Sequence, residues 1–179
     1  MISYDYAHRD GVLPVSWEDF AALTRRLAEG LAGENVACVV GVARAGLFPA
    51  TAVACALRCD LVPVRVTRRE QDQVVHDSPV WKTLPSDDVR GKVVAVVDEI
   101  ADTGETVSLV AEQVKRQGAV RVVTASLVAH SWASPMPDIV ALTSDALVLF
   151  PWDREVLANG SWGPHPELEA ALAAQQDRP

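Results

Sequence analysis

The sequence predicts an α/β fold, a parallel sheet with helices packed against its faces. Three observations lead there. Short, almost continuous apolar runs of strand length recur along the chain; they alternate with stretches of helical periodicity; and the 179 residues, 49% of them hydrophobic, suffice for the core of one domain. Strand and helix in alternation imply parallel pairing, with the sheet covered on both sides.

Residues 16–32, SWEDFAALTRRLAEGLA, open on Ser16 as a helix cap with Asp19 three positions on, and Phe20, Leu23, Leu27 and Leu31 share one helical face. VACVVGV, residues 36–42, is apolar throughout and reads as a strand buried on both faces, and LFPATAVACALR after it as a helix. LVPVRV, residues 61–66, is a second strand. The polar segment that follows, TRREQDQVVHDSPVWKTLPSDDVRG, carries no helical stripe, and its length points to a functional or mobile loop with room for a hairpin. KVVAVVD is a third strand ending on Asp98, residues 105–117 form a helix that stops at Gly118, and RVVTASLVA is a fourth strand. DALVLF, residues 145–150, adds another strand, and PELEAALAAQQ a short helix from Pro166. No repeat or low-complexity linker interrupts this order.

Sixteen Lys and Arg against twenty-four Asp and Glu leave a net charge of −8, which opposes binding to nucleic acid and to anionic membrane surfaces and favours a small partner. No apolar run has the length to span a bilayer, and MISYDYAHRD is too polar for a secretory signal, so the expected location is the cytoplasm. Cys38, Cys55 and Cys59 are an odd count without an export signal and read as small buried hydrophobes. Cys55 and Cys59 could share a helix face, but their neighbourhood supplies no further ligands for zinc.

The stretch VVAVVDEIADTGETV, residues 93–107, places Asp98, Glu99 and Asp102 at a strand end, followed by a turn and a helix. Ligands of parallel α/β sheets sit beyond the carboxyl ends of the strands. A turn through Asp102, Thr103, Gly104, Glu105 and Thr106 into a helix offers backbone N–H groups, two hydroxyls and the positive end of a helix, which suits a phosphate. Carboxylates beside it accept hydrogen bonds from sugar hydroxyls, so a sugar phosphate satisfies both parts. A solvated acidic turn that caps a helix would need no ligand, but it gives no reason for three clustered acids.

VVDEIADTGET resembles the phosphoribosyl pyrophosphate (PRPP) motif of the type I phosphoribosyltransferases: an apolar strand, two acids, two apolar or small residues, then Asp-Thr-Gly-x-Thr. The resemblance implies a Rossmann-like parallel sheet with flanking helices. It also implies one domain over residues 1–179, with a core at about 34–130 and hood elements from 1–33 and 131–179. It assigns Asp98 and Glu99 to the ribose hydroxyls, Ala101 to Thr106 to the 5′-phosphate, and Asp102 to the reacting base nitrogen. GVARAGLFPA, residues 41–50, is similar to the family's pyrophosphate loop, with Arg44, Ala45 and Gly46 on pyrophosphate and a non-proline cis bond expected at Arg44–Ala45; the commoner family form has Gly where Ala45 stands. Arg68 and Arg69 would meet the departing pyrophosphate, ahead of His76 as candidates. The likeness is greatest to the branch that handles 6-oxopurines, where FPWD closes over the base; it implies magnesium at Asp98 and Glu99, with Asp98 and Asp153 as metal ligands and Asp153 on a second magnesium ion. A packing role for Phe150 and Trp152, with Asp153 in a turn, fits the same residues.

Two positions depart from that branch. Its base-contacting Lys corresponds to His130, a titratable donor, and its stacking aromatic to Leu147, which offers no π face; Trp152 remains at the base. Trp132 could stack from another direction, although a Trp after a strand is commonly a packed residue. His8 and His165 carry no signal. The implied activity is magnesium-dependent transfer of phosphoribosyl from PRPP to a nitrogen of a purine or purine-like base, in a homodimer, for purine salvage or a specialised pathway. The alternative is a PRPP-sensing regulator without transfer, but the acidic chain has no basic arm or recognition helix.

Overall fold

The computed structural model describes residues 9–70, 73–158 and 160–176. The chain divides into a larger unit, Leu23–Thr143, and a smaller one made of Met1–Ala22 and Ser144–Pro179.

The larger unit is built on six strands: β2 (Cys38–Ala43), β3 (Asp60–Thr67), β6 (Val80–Thr83), β7 (Val93–Ala101), β8 (Arg121–Ala129) and β9 (Ile139–Thr143), in the order β6-β3-β2-β7-β8-β9. All neighbours are parallel except β6, which runs antiparallel to β3. The expected α/β class and its four main strands are therefore present. The strands in the middle are buried almost without interruption, as apolar runs covered on both faces must be. Alternate residues of β2 point opposite ways. Val40 joins Val96 and the buried Val107, Val110 and Val114 of helix α3 (Glu105–Arg116). A Cβ on Gly41 would instead strike Ala50 and Leu47 of helix α2 (Leu47–Leu57). The two helices cover opposite faces.

Helix α1 (Trp17–Ala32) starts as its sequence requires. The Ser16 hydroxyl accepts the Asp19 N–H at 3.0 Å, while Asp19 accepts the Ser16 N–H at 3.0 Å and its hydroxyl at 2.7 Å. Those hydrogen bonds from Ser16 lower the Asp19 pKa. Leu23, Leu27 and Leu31 are buried along one face.

Three features of this unit differ from the sequence reading. The third strand does not stop at Asp98; β7 runs on to Ala101, because β8 continues beside it through Ile100↔Val128 and Ala101↔Ala129. The polar segment after β3 holds the hairpin for which the sequence leaves room, β4 (Arg69–Glu70) and β5 (Gln73–Val74), and also a sheet strand that the sequence reading does not include, β6. β9 follows β8 in parallel without an intervening helix. The register explains how: Ile139 pairs with Ala125, so β9 begins halfway along β8 and the connecting chain retraces only part of the strand. Thr124 and Asp138 fix that register, with the Thr124 N–H and hydroxyl each donating to Asp138 Oδ2 at 2.8 Å and the Asp138 N–H donating to Thr124 Oγ1 at 2.9 Å.

The smaller unit contains β1 (Val12–Pro14) paired in parallel with β10 (Leu147–Leu149), a hairpin of β11 (Glu155–Ala158) and β12 (Ser161–Pro164), and helix α4 (Pro166–Gln176). The strand expected in DALVLF is thus present, in a two-stranded sheet of its own.

Replacing Asp138 by Ala removes two charge-assisted bonds at the start of β9. It is expected to cost about 1–3 kcal/mol, read as a lower denaturation midpoint with an unchanged urea m-value. An unaltered midpoint would show that this clamp does not hold the register.

Candidate active site

The carboxyl end of the sheet opens beside β7. Pairing of β2 with β7 ends at Gly41↔Val97, while β8 follows β7 for four residues more, so Asp98 has a strand neighbour on one side only. On the other side the chain leaves β2, passes Arg44 and Ala45, and enters α2 at Gly46. A Cβ at Gly46 would collide with Asp98 Oδ1 and with the Val42 carbonyl, so only glycine lets this loop lie against the carboxylate. The carbonyls of Arg44, Ala45 and Gly46 accept from Leu47, Phe48 and Ala50 at 3.0–3.1 Å, which leaves the exposed Arg44 side chain projecting from a fixed turn. The cis peptide bond lies at Ala43–Arg44, one residue before the expected Arg44–Ala45, at the point where β2 pairing with Arg65 ends and the chain must turn.

Asp98 is buried, with 6% of its surface exposed, and its Oδ1 accepts the Glu99 N–H at 3.0 Å. Burial, followed by the neighbouring Glu99 charge, pushes its pKa well above the ordinary carboxylate range. Glu99 is half-buried beside it. Three residues on, β7 ends at the buried Ala101, and half-buried Asp102 and exposed Thr103 lead to Gly104. Gly104 has φ +86°, and a Cβ there would meet the Pro135 carbonyl oxygen, so both backbone conformation and packing demand glycine. Helix α3 then starts with Glu105 and Thr106, its positive end at the loop. The turn from Asp102 to Thr106 thus stands at a helix N-terminus, after the strand that carries the two acids.

A second segment is laid against this loop. The His130 N–H donates to the Ala101 carbonyl at 3.1 Å and the Ser134 N–H to the Thr103 carbonyl at 2.9 Å, with a cis Ser134–Pro135 bond following. His130, the residue expected to face the base, is buried, and its ring stacks on that of Trp132 with centroids 4.6 Å apart and planes 16° from parallel. The Trp132 indole N–H donates to Asp102 Oδ1 at 3.1 Å. Sequence reasoning gave Trp132 no firm role; its place two residues beyond His130 was the available signal.

The remaining candidates are distributed as follows. Arg68 and Arg69 are half-buried; the Arg68 Nε donates to the His76 carbonyl at 3.2 Å, and the Arg68 carbonyl accepts the N–H groups of Val75 and His76, so Arg68 anchors the β4–β5 hairpin. Leu147, Trp152 and Asp153 belong to the smaller unit. Leu147 pairs with Val12. Trp152 stacks on Phe150 at 4.9 Å and meets Phe20 edge-on at 5.4 Å, so within its own unit it packs as an aromatic cluster residue. The Asp153 N–H donates to the Phe150 carbonyl at 3.0 Å. Among the described residues no group of three or more His, Cys, Asp or Glu side chains could cage a metal ion. Asp98 and Glu99 nonetheless fit magnesium, which commonly uses one or two carboxylates together with waters and substrate phosphates.

A family model described as phosphoribosyl transferase domain matches residues 16–159. The chain belongs to the phosphoribosyltransferase family of enzymes, and its sheet and PRPP motif make it a type I member. It is 33% identical over 152 residues to a xanthine-guanine phosphoribosyltransferase of Nitratidesulfovibrio vulgaris (strain Hildenborough), covering 81% of this chain and 86% of that protein. It is 32% identical over 145 residues to the xanthine-guanine phosphoribosyltransferase of Idiomarina loihiensis, covering 79% and 87%. A crystal structure of purine phosphoribosyltransferase from Pyrococcus horikoshii aligns with a TM-score of 0.70 at 30% identity, covering 79% of this chain and 93% of that one. No helix of the described residues is long and apolar enough to cross a membrane.

The raised Asp98 pKa makes stability depend on pH. The folded chain holds the Asp98 proton more tightly than the unfolded chain, so the contribution is complete below the unfolded value, about pH 4, and is lost as pH rises through the folded value. Ligand-free Asp98→Asn, which does not titrate, should therefore be more stable than the parent at pH 7 and approach it near about pH 4. Denaturant unfolding across that range checks it; a variant less stable at pH 7 would contradict the burial cost.

Proposed function

We propose that this chain transfers the phosphoribosyl group of PRPP to a ring nitrogen of a purine or purine-like base, with magnesium, yielding a nucleoside 5′-monophosphate and pyrophosphate. One observation carries the reading: Asp98, Glu99 and the Asp102–Thr106 turn stand together where β7 outruns β2 and α3 begins. The purine assignment is supported by the relatives, whose names specify xanthine, guanine or purine.

Asp98 and Glu99 would accept hydrogen bonds from the ribose hydroxyls, and the loop from Ala101 to Thr106 would hold the 5′-phosphate by backbone N–H groups and hydroxyls. Arg44, Ala45 and Gly46, with Arg68 and Arg69, would contact pyrophosphate. The base nitrogen forms a bond to C1 of the ribose as the bond from C1 to the pyrophosphate oxygen breaks, and the ring proton passes to Asp102 or to water. Positive charge that develops on the ribose is stabilised by the adjacent carboxylates. Asp98 and Glu99 would hold magnesium, whose charge would offset that of the departing pyrophosphate. His130 in place of the branch's Lys leaves the choice among purine-like bases open to the test.

Pyrophosphate release from PRPP and magnesium, measured against a panel of purines, deazapurines and pyrimidines with the nucleotide identified by mass, tests the reading. Release with a purine-like base is expected. Saturable PRPP binding without release from any base would favour the sensing alternative. Asp102→Asn should reduce turnover by about a hundredfold, as loss of a general base does, with PRPP affinity nearly intact; equal losses in both would remove Asp102 from the chemical step.

A further inference from the structure

Trp132 has no role in the reaction as set out above, yet it touches two residues that the reaction would use. Its ring lies against that of His130, and its N–H reaches Asp102 Oδ1. It is 44% exposed, so apolar burial is a weak account of its position. A hydrogen bond from the indole to a carboxylate is a stronger one.

Indole is a six-membered ring fused to a five-membered ring that carries an N–H. A free purine base has the same ring skeleton and also presents an N–H on its five-membered ring. The carboxylate proposed to meet the base N–H is, in this structure, receiving the N–H of a ring of the same shape. We propose that Trp132 is an internal stand-in for the base: it latches onto Asp102 in the ligand-free chain, and the incoming base displaces it. This rests on the phosphoribosyl-transfer reading.

The backbone is suited to such a latch. The chain is pinned on either side of Trp132, at His130 to Ala101 and at Ser134 to Thr103, and the Ala133 N–H donates to the His130 carbonyl at 3.0 Å. The indole can leave by side-chain rotation while the loop stays in place. The latch also sets specificity. A fused base with a five-membered-ring N–H replaces both the hydrogen bond and the stacking surface it displaces, whereas a pyrimidine replaces neither fully.

Trp132→Phe keeps an aromatic ring on His130 and removes the N–H. Hypoxanthine and xanthine are titrated calorimetrically into both proteins with ribose 5-phosphate present, which offers the sugar and phosphate but has no pyrophosphate to lose. Base affinity is expected to rise about tenfold in the variant, the worth of one hydrogen bond to a charged acceptor, with ribose 5-phosphate affinity unchanged. In the parent, the indole N–H resonance assigned by its loss from Trp132→Phe, one of five tryptophans, should shift on adding base and stay put on adding ribose 5-phosphate alone. Equal or weaker base binding by the variant, no base binding by either protein, or an indole resonance that ignores the base would each overturn the latch. Failure of the transfer reading is separate: bases would bind and displace the indole, yet no base would release pyrophosphate from PRPP.

Discussion

A carboxylate kept from water is the constraint on which the rest of this structure depends. An ionised Asp in apolar surroundings is unfavourable without partners, and Asp98 is placed where β7 has lost β2 as a neighbour and lies against Gly46. That placement requires a glycine at the start of α2, and β8 supports β7 beyond it to Ala101. Sugar hydroxyls or a cation would supply what the protein withholds from this carboxylate.

The opposite end of the sheet is arranged differently. There Lys92 donates to Asp60 at 2.7 Å and Arg121 pairs with Glu34, while Cys38, near Lys92 and Asp60, is buried with its thiol pushed up to about 11 by desolvation. Charges at that end meet opposite charges at the surface, where such pairs contribute little and disturb little. At the carboxyl end, like charges adjoin and one is buried. The valine-rich layers of the core lie between the two ends.

The elements legible in the sequence were those with a local physical signature. Ser16 and Asp19 announced α1, apolar runs announced β2, β7 and β8, and the acids before Thr-Gly announced a loop entering α3. What escaped was set by distant partners. VWKT becomes β6 only because β3 offers it an edge, and β9 needs no crossover helix because Thr124 and Asp138 start it halfway along β8. β7 outlasts Asp98 because β8 continues beside it, which its own residues do not reveal. The same holds at the site: the motif could be read residue by residue, but nothing local says that the Trp132 indole reaches Asp102.

The most direct test of the central claim, that Asp98 and Glu99 form the sugar-binding end of a PRPP site, is calorimetric titration of PRPP and magnesium into the parent chain and into the double variant Asp98→Asn, Glu99→Gln. The account predicts saturable binding to the parent and a loss of about a hundredfold or more in the variant, because hydrogen bonds to two charged acceptors are weakened together. Equal affinity for both proteins, with the variant folded, would contradict it.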